Sequence, residues 1–240
     1  MFKDVSFNCN SKIFDQIEVE EFNEQPLEDK THKSDYVHPQ YLHFYIYDTK
    51  QKQVAYLSVY PIKDYRRMYA ISEEHQKGFD EAINDLRKIT KDKNFRWNGE
   101  ITYLPYYDAS QAFQAKVKHF SFIDGKGILY LTHWDIGYTL VSNENLEYIY
   151  QGLTNNEKYY VVAGLYVDVE VLPDSSPEEF EGYEIPWGRL EDKIEIKRRK
   201  EYHAKIAKRL ENLKPNEFQP NLKYFEEIVS SLKIEKPKLN

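Results

Sequence analysis

Lys116-Val117-Lys118-His119-Phe120-Ser121-Phe122-Ile123-Asp124-Gly125-Lys126-Gly127-Ile128-Leu129-Tyr130-Leu131-Thr132-His133-Trp134 reads as two strands folded back on each other. Gly125-Lys126 at the centre suits a two-residue type II′ turn, which wants glycine first. That register sets Phe120 opposite Leu131 and Phe122 opposite Leu129 on one face, with Ser121 and Tyr130 on the other. Hydrophobic alternation and turn chemistry agree on it. His119 then pairs with Thr132 and His133 with Lys118. The period of two turns these imidazoles to opposite faces, so they cannot share a metal. His133, beside Phe120 and Leu131, is expected as a satisfied core or rim histidine.

Downstream, Leu146 to Val169 repeats the pattern around Asn155-Asn156-Glu157. Upstream, the β-prone run Tyr41 to Tyr47 and the strand Val54 to Tyr60, stopped by Pro61, make another hairpin across Asp48 to Gln53. Val5 with Phe7, and Ile17 with Val19, suggest two short strands. Glu73 to Thr90 is helical, with Phe79, Ala82, Ile83, Leu86 and Ile89 on one face. Ser72 caps it, and His75 stands where a capping-box glutamate would. Trp187 to Leu213 reads as a long charged helix with the stripe Leu190, Ile194, Tyr202, Ile206, Leu210 and Leu213. Asn221 caps a last helix carrying Leu222, Phe225, Ile228, Val229 and Leu232. Strands arrive in adjacent pairs rather than alternating with helices. The expected fold is α+β, an antiparallel sheet of sequential hairpins with helices packed on it, in one domain over residues 1–240.

Composition narrows function mainly by exclusion. A formal net charge of −7 argues against a general nucleic-acid binder, which needs basic surface to displace counterions. One cysteine, Cys9, rules out an intrachain disulfide and a thiolate metal cluster, and it is expected as a half-buried strand residue. No run approaches the length of a membrane span. Met1-Phe2-Lys3-Asp4 leads straight into Val5-Ser6-Phe7 without the apolar core of an export signal. The 21 tyrosines suit half-buried sheet positions and contact surfaces.

No short catalytic, phosphate-binding or metal motif occurs. His43 lies in an aromatic strand and reads as satisfied; His32, His38, His75 and His203 lie in polar segments and read as solvated. The carboxylate pairs Glu73-Glu74, Glu178-Glu179, Glu191-Asp192 and Glu226-Glu227 read as solvated helix faces, because neighbours on a helix diverge. Lys197-Arg198-Arg199-Lys200, flanked by acidic residues, reads as a salt-laced exposed face.

Leu104-Pro105-Tyr106-Tyr107-Asp108-Ala109-Ser110-Gln111-Ala112-Phe113, Tyr150-Gln151-Gly152-Leu153-Thr154, Tyr159-Tyr160-Val161 and Phe218-Gln219-Pro220-Asn221-Leu222 follow one another in an order that resembles a group of exported bacterial proteins, a domain of unknown function. The strand–helix order also looks similar to PsbP-like α/β sandwiches, which serve as binding and assembly modules. Asp108 stands where the group usually has asparagine. Glu157 replaces a turn glycine, at a position expected to want φ > 0. The resemblance implies a mature exported form, secreted or in the cell envelope; the residues alone leave a cytoplasmic location open.

The leading expectation is an extracytoplasmic, non-enzymatic binding domain, monomer or weak dimer, for a protein, carbohydrate or small-molecule partner. No catalytic residue, cofactor or metal is assigned. Tyr106, Tyr107, Asp108, Ser110 and Gln111 form the candidate ligand site, with a hydrogen-bonded buried loop as the plainer reading. Two rival functions stand beside it: a hydrolase of envelope polymers using Asp108 with a nearby titratable group, and a carrier of lipid or another apolar ligand.

Overall fold

The computed structural model describes residues 4–27, 37–92, 101–104, 109–135, 139–187 and 192–235. The strands are β1 (Asp4–Ser6), β2 (Phe14–Phe22), β3 (Tyr41–Asp48), β4 (Gln53–Pro61), β5 (Ser110–Gln111), β6 (Ala115–Phe122), β7 (Gly125–Asp135), β8 (Leu146–Thr154), β9 (Tyr159–Tyr166), β10 (Asp168–Val169), β11 (Glu179–Phe180), β12 (Tyr183–Glu184), β13 (Phe218–Gln219) and β14 (Lys233–Glu235). The helices are α1 (Ile62–Met68), α2 (Glu73–Lys91), α3 (Lys193–Glu211) and α4 (Leu222–Ser230). Eight strands form one antiparallel sheet in the order β2-β3-β4-β9-β8-β7, with β6 and the short β5 sharing the far edge of β7. The fold is α+β, as the hairpin pattern predicts.

Helices cover the sheet on both sides. Phe79, Ile83 and Leu86 of α2 pack with Tyr130, Ile149, Tyr160 and Val162 on one face. Tyr202, Ile206 and Leu210 of α3, with Phe225 and Ile228 of α4, pack with Leu57, Leu129, Leu131, Tyr148 and Val161 on the other. Every residue of β8 is buried, because both of its faces are roofed. The α2 periodicity holds at each apolar position, and Ser72 accepts the His75 amide as its cap. Asn221 likewise caps α4 through the Lys223 amide. Glu157 takes the left-handed backbone expected of it, at φ 54°.

Several expectations give way to tertiary packing. The first hairpin turns at Ile123-Asp124, not Gly125-Lys126: Phe122 pairs with Gly125 and Phe120 with Gly127. The turn is tied down from outside. Ile123 N–H donates to Leu232 O, and Asp124 accepts the Ile234 amide on its carboxylate and the Asn155 amide on its carbonyl. Gly125 stays in the strand because a Cβ there would meet the Leu153 carbonyl and the Phe122 ring. From Lys118 to Phe122 the slip is by four residues, so those side chains keep their faces and His119 and His133 remain on opposite sides; a bulge between Ala115 and Lys118 breaks the register before that.

Ile194 is exposed and Glu195 buried instead, since seven residues back from Tyr202 the stripe lands on 195. Leu190 lies outside the described residues. Arg199 is half-buried and ion-paired with Asp135 rather than solvated. His203, half-buried against the Ala112 backbone, is pushed down to about 4 by burial. His38 and His75 are also half-buried, bonded to the Pro39 carbonyl and the Ser72 hydroxyl. His32 lies outside the described residues. Cys9 packs on the core from a loop, not a strand. His133 is wholly buried, yet neither ring nitrogen has a hydrogen-bond partner among the described residues, so it is not satisfied. The helix α1, directly after Pro61, and the pairing of β1 with β14 have no counterpart in the sequence reading.

Candidate functional site

Of the five residues singled out in sequence, Tyr106, Tyr107 and Asp108 lie outside the described residues. Ser110 is exposed. Gln111 is buried and acts as a clip: its Nε2 donates to the Ile101 carbonyl at 2.6 Å, and its Oε1 accepts from the Ile101 amide at 3.3 Å and from Gln114 Nε2 at 2.8 Å. Three residues on, the Tyr160 hydroxyl lies 2.9 Å from the Leu104 carbonyl and 2.7 Å from Gln151 Oε1, two acceptors that share its single proton. The segment 101–104 is thus pinned at both ends, and what it carries between the pins is Tyr103.

Tyr103 is one wall of an open cleft of about 400 Å³. Its floor is the half of the α1/α2 face that α2 leaves bare. Alternation puts Tyr41, His43 and Tyr45 of β3 on that face, beside Tyr56, Ser58 and Tyr60 of β4 and Val162 and Tyr166 of β9. Trp134 of β7 continues that wall, its ring 5.1 Å from Tyr103 and edge-on. Glu144 and Asn145 stand at the rim. The rings brace one another: Tyr41 stacks on Tyr60 at 4.5 Å, and His43 lies 4.2 Å from Tyr45. His43 Nδ1 meets Ser58 Oγ at 2.7 Å, and the Tyr56 and Tyr103 hydroxyls meet at 2.8 Å.

Glu147, on β8, is the group that this setting does not explain structurally. It lies on the cleft face with only 4% of its surface exposed. Oε2 accepts the Trp134 indole N–H at 2.6 Å, while Oε1 has no hydrogen-bond partner among the described residues. Burial pushes the carboxyl above its ordinary 4.5, opposed by the nearby Tyr56 hydroxyl and the Trp134 indole. Gly164 makes room for it: a Cβ there would meet Glu147 Oε1 and the Tyr56 ring. A buried, half-bonded carboxylate costs stability and is a functional-site candidate on that ground.

Sequence reasoning passed over Glu147 because it sits singly in a strand with no motif around it. The available signal was an acidic residue in a strand, Leu146 to Leu153, whose other residues apart from Gln151 are apolar or aromatic, a placement that sheet packing alone does not favour. The cleft holds a serine bonded to a histidine, but Ser58 lies mid-strand in β4, which is laddered on both sides by β3 and β9. The Ser58 backbone amide is committed to the sheet and is not free to receive an oxyanion. Burial also pushes His43 down to about 4, leaving it neutral and a weak base. Among the described residues the cleft presents an aromatic surface with one buried carboxylate at its inner edge. No helix there is long and apolar enough to cross a membrane.

No family model matches the chain, and neither a curated protein nor a solved structure matches it. Function is therefore read from the cleft itself.

Proposed function

We propose that this chain is a non-enzymatic binding module that seats a small organic ligand, or a small protruding group of a larger one, in the aromatic cleft. The observation that supports it best is the Glu147 Oε1 acceptor, buried without a partner beneath a ring-lined opening. Aromatic walls with a few placed polar groups are the usual make-up of a ligand pocket. An acyl chain laid against Glu147 would leave that oxygen unpaired, which weighs against a lipid carrier. Action outside the cytoplasm is part of the proposal and rests on the likeness of the segments at 104–113, 150–154, 159–161 and 218–222 to exported proteins.

The test is a panel of amines, sugars and aromatic acids titrated while the Trp134 indole N–H resonance is followed, with Trp134→Phe to assign it. Binding at the cleft shifts that resonance, and Tyr45→Ala or Tyr166→Ala weakens the effect. A panel that leaves the resonance still, or binding that neither variant alters, would overturn the reading.

A further inference from the structure

We infer that the cleft takes an organic cation, an alkylammonium head group, with Glu147 as its counter-ion. The inference rests on the cleft being a ligand seat and adds the chemical class. Three observations carry it. The first is the buried carboxylate: Glu147 Oε2 is held by Trp134 at 2.6 Å, while Oε1 meets no partner at hydrogen-bond geometry among the described residues and has only the Tyr56 hydroxyl close by. A cation entering the cleft supplies the missing partner and offsets the cost of burying the charge.

The second is the wall. Tyr41, Tyr45, Tyr56, Tyr103, Trp134 and Tyr166 surround the space, and aromatic faces attract alkylammonium groups through the ring quadrupole. The third is the charge around it. Glu144 is a second carboxylate at the rim, and no lysine or arginine is among the described residues lining the cleft. Beyond the rim, the Tyr45 and Tyr47 hydroxyls donate to Glu20 and Glu18 at 3.3 and 3.1 Å, which keeps further carboxylates on the same side of the sheet. An anion would meet two carboxylates there and no cationic side chain among the described lining residues. A hard divalent metal wants six or more oxygens, and rings do not supply them. A greasy cation, held by charge rather than by hydrogen bonds, fits both the rings and the buried carboxylate beneath them.

The same head group occurs on free small molecules and on lysine side chains of proteins, methylated or not. The experiment therefore has two arms on the intact chain. Choline and tetramethylammonium are titrated against 3,3-dimethyl-1-butanol, the neutral isostere of choline. A short peptide carrying trimethyllysine is titrated against the same peptide with norleucine. Binding is read by calorimetry and by the Trp134 indole resonance, in wild type, Glu147→Gln and Tyr45→Ala. Glu147→Gln keeps the size and the acceptor for Trp134 but removes the charge; Tyr45→Ala removes one half-exposed ring.

The expected result is that the cation binds at least ~10-fold tighter than its isostere, that Glu147→Gln abolishes the preference, and that Tyr45→Ala weakens the cation alone. Preference in the first arm points to a free small molecule; preference confined to the second points to a protein side chain. Equal binding of cation and isostere, or a preference that survives Glu147→Gln, overturns the cation assignment while leaving a ligand seat in place. Silence from every cation also overturns it. Only silence across the wider panel of amines, sugars and aromatic acids would bring down the seat as well.

Discussion

His133 and Glu147 are titratable groups that the fold buries without completing their hydrogen bonds, and they strain it in opposite senses. Burial pushes His133 from its ordinary 6.5 down to about 4. Between those values the unfolded chain binds a proton that the folded chain refuses. Stability from this residue is therefore complete above pH 6.5 and is lost as the pH falls toward 4. The slope it contributes is about 1.4 kcal/mol per pH unit. His203 of α3 is held down in the same way, first by burial and then by the positive charges of Arg199 and of a protonated His133. Replacing His133 with leucine should flatten the acid limb of a urea-denaturation series and leave stability near neutrality equal or higher. Identical slopes in the two proteins would show that His133 finds its proton elsewhere.

At the level of elements, a two-residue clip sets the shape of the cleft. Gln111 makes both backbone bonds of Ile101, so Gln111→Ala should cost about 1–3 kcal/mol. It should also speed amide exchange at Ile101 and weaken ligand binding through the displaced Tyr103. Unchanged exchange at Ile101 would contradict that role. The same segment shows how far the sequence could be read. The polar–aromatic stretch after α2 drew attention for its side chains, and its plainer reading, a loop that satisfies backbone groups, is the part that the Gln111 bonds display. The α2 helix was legible to within one residue, because the Ser72 cap and the apolar periodicity from Phe79 agree on it. The Ile123-Asp124 turn was not. Local preference favours Gly125-Lys126, and the deciding contacts come from Leu232, Ile234 and Asn155, distant in sequence or on another hairpin. The cleft was illegible for the same reason. Its residues come from β3, β4, β7, β8, β9 and the segment at 101–104, and only the sheet order brings them together.

At the scale of the whole molecule, one sheet serves two cores. Phe79 of α2 and Phe225 of α4 lie on opposite faces, each almost fully buried. Phe→Ala at either should cost about 3–5 kcal/mol. Because β7, β8 and β9 contribute to both cores, circular dichroism and tryptophan fluorescence should report one coincident unfolding transition in each variant. Two separated transitions would mean that the α1/α2 layer folds independently of the sheet. The layering also explains where the cleft lies. α2 roofs β7 and β8, α3 and α4 roof the opposite face, and the tyrosines of β3, β4 and β9 are left as an uncovered floor with Glu147 at its inner edge.

Glu147 can be watched directly by carbon NMR of its side-chain carboxyl as pH is varied, and the Tyr56, Tyr103 and Tyr130 hydroxyls feel its charge. The account predicts a midpoint above 4.5 in the free protein and a fall in that midpoint when the cleft is saturated with tetramethylammonium. A midpoint at or below 4.5 without ligand, or one that the cation leaves in place, would contradict it.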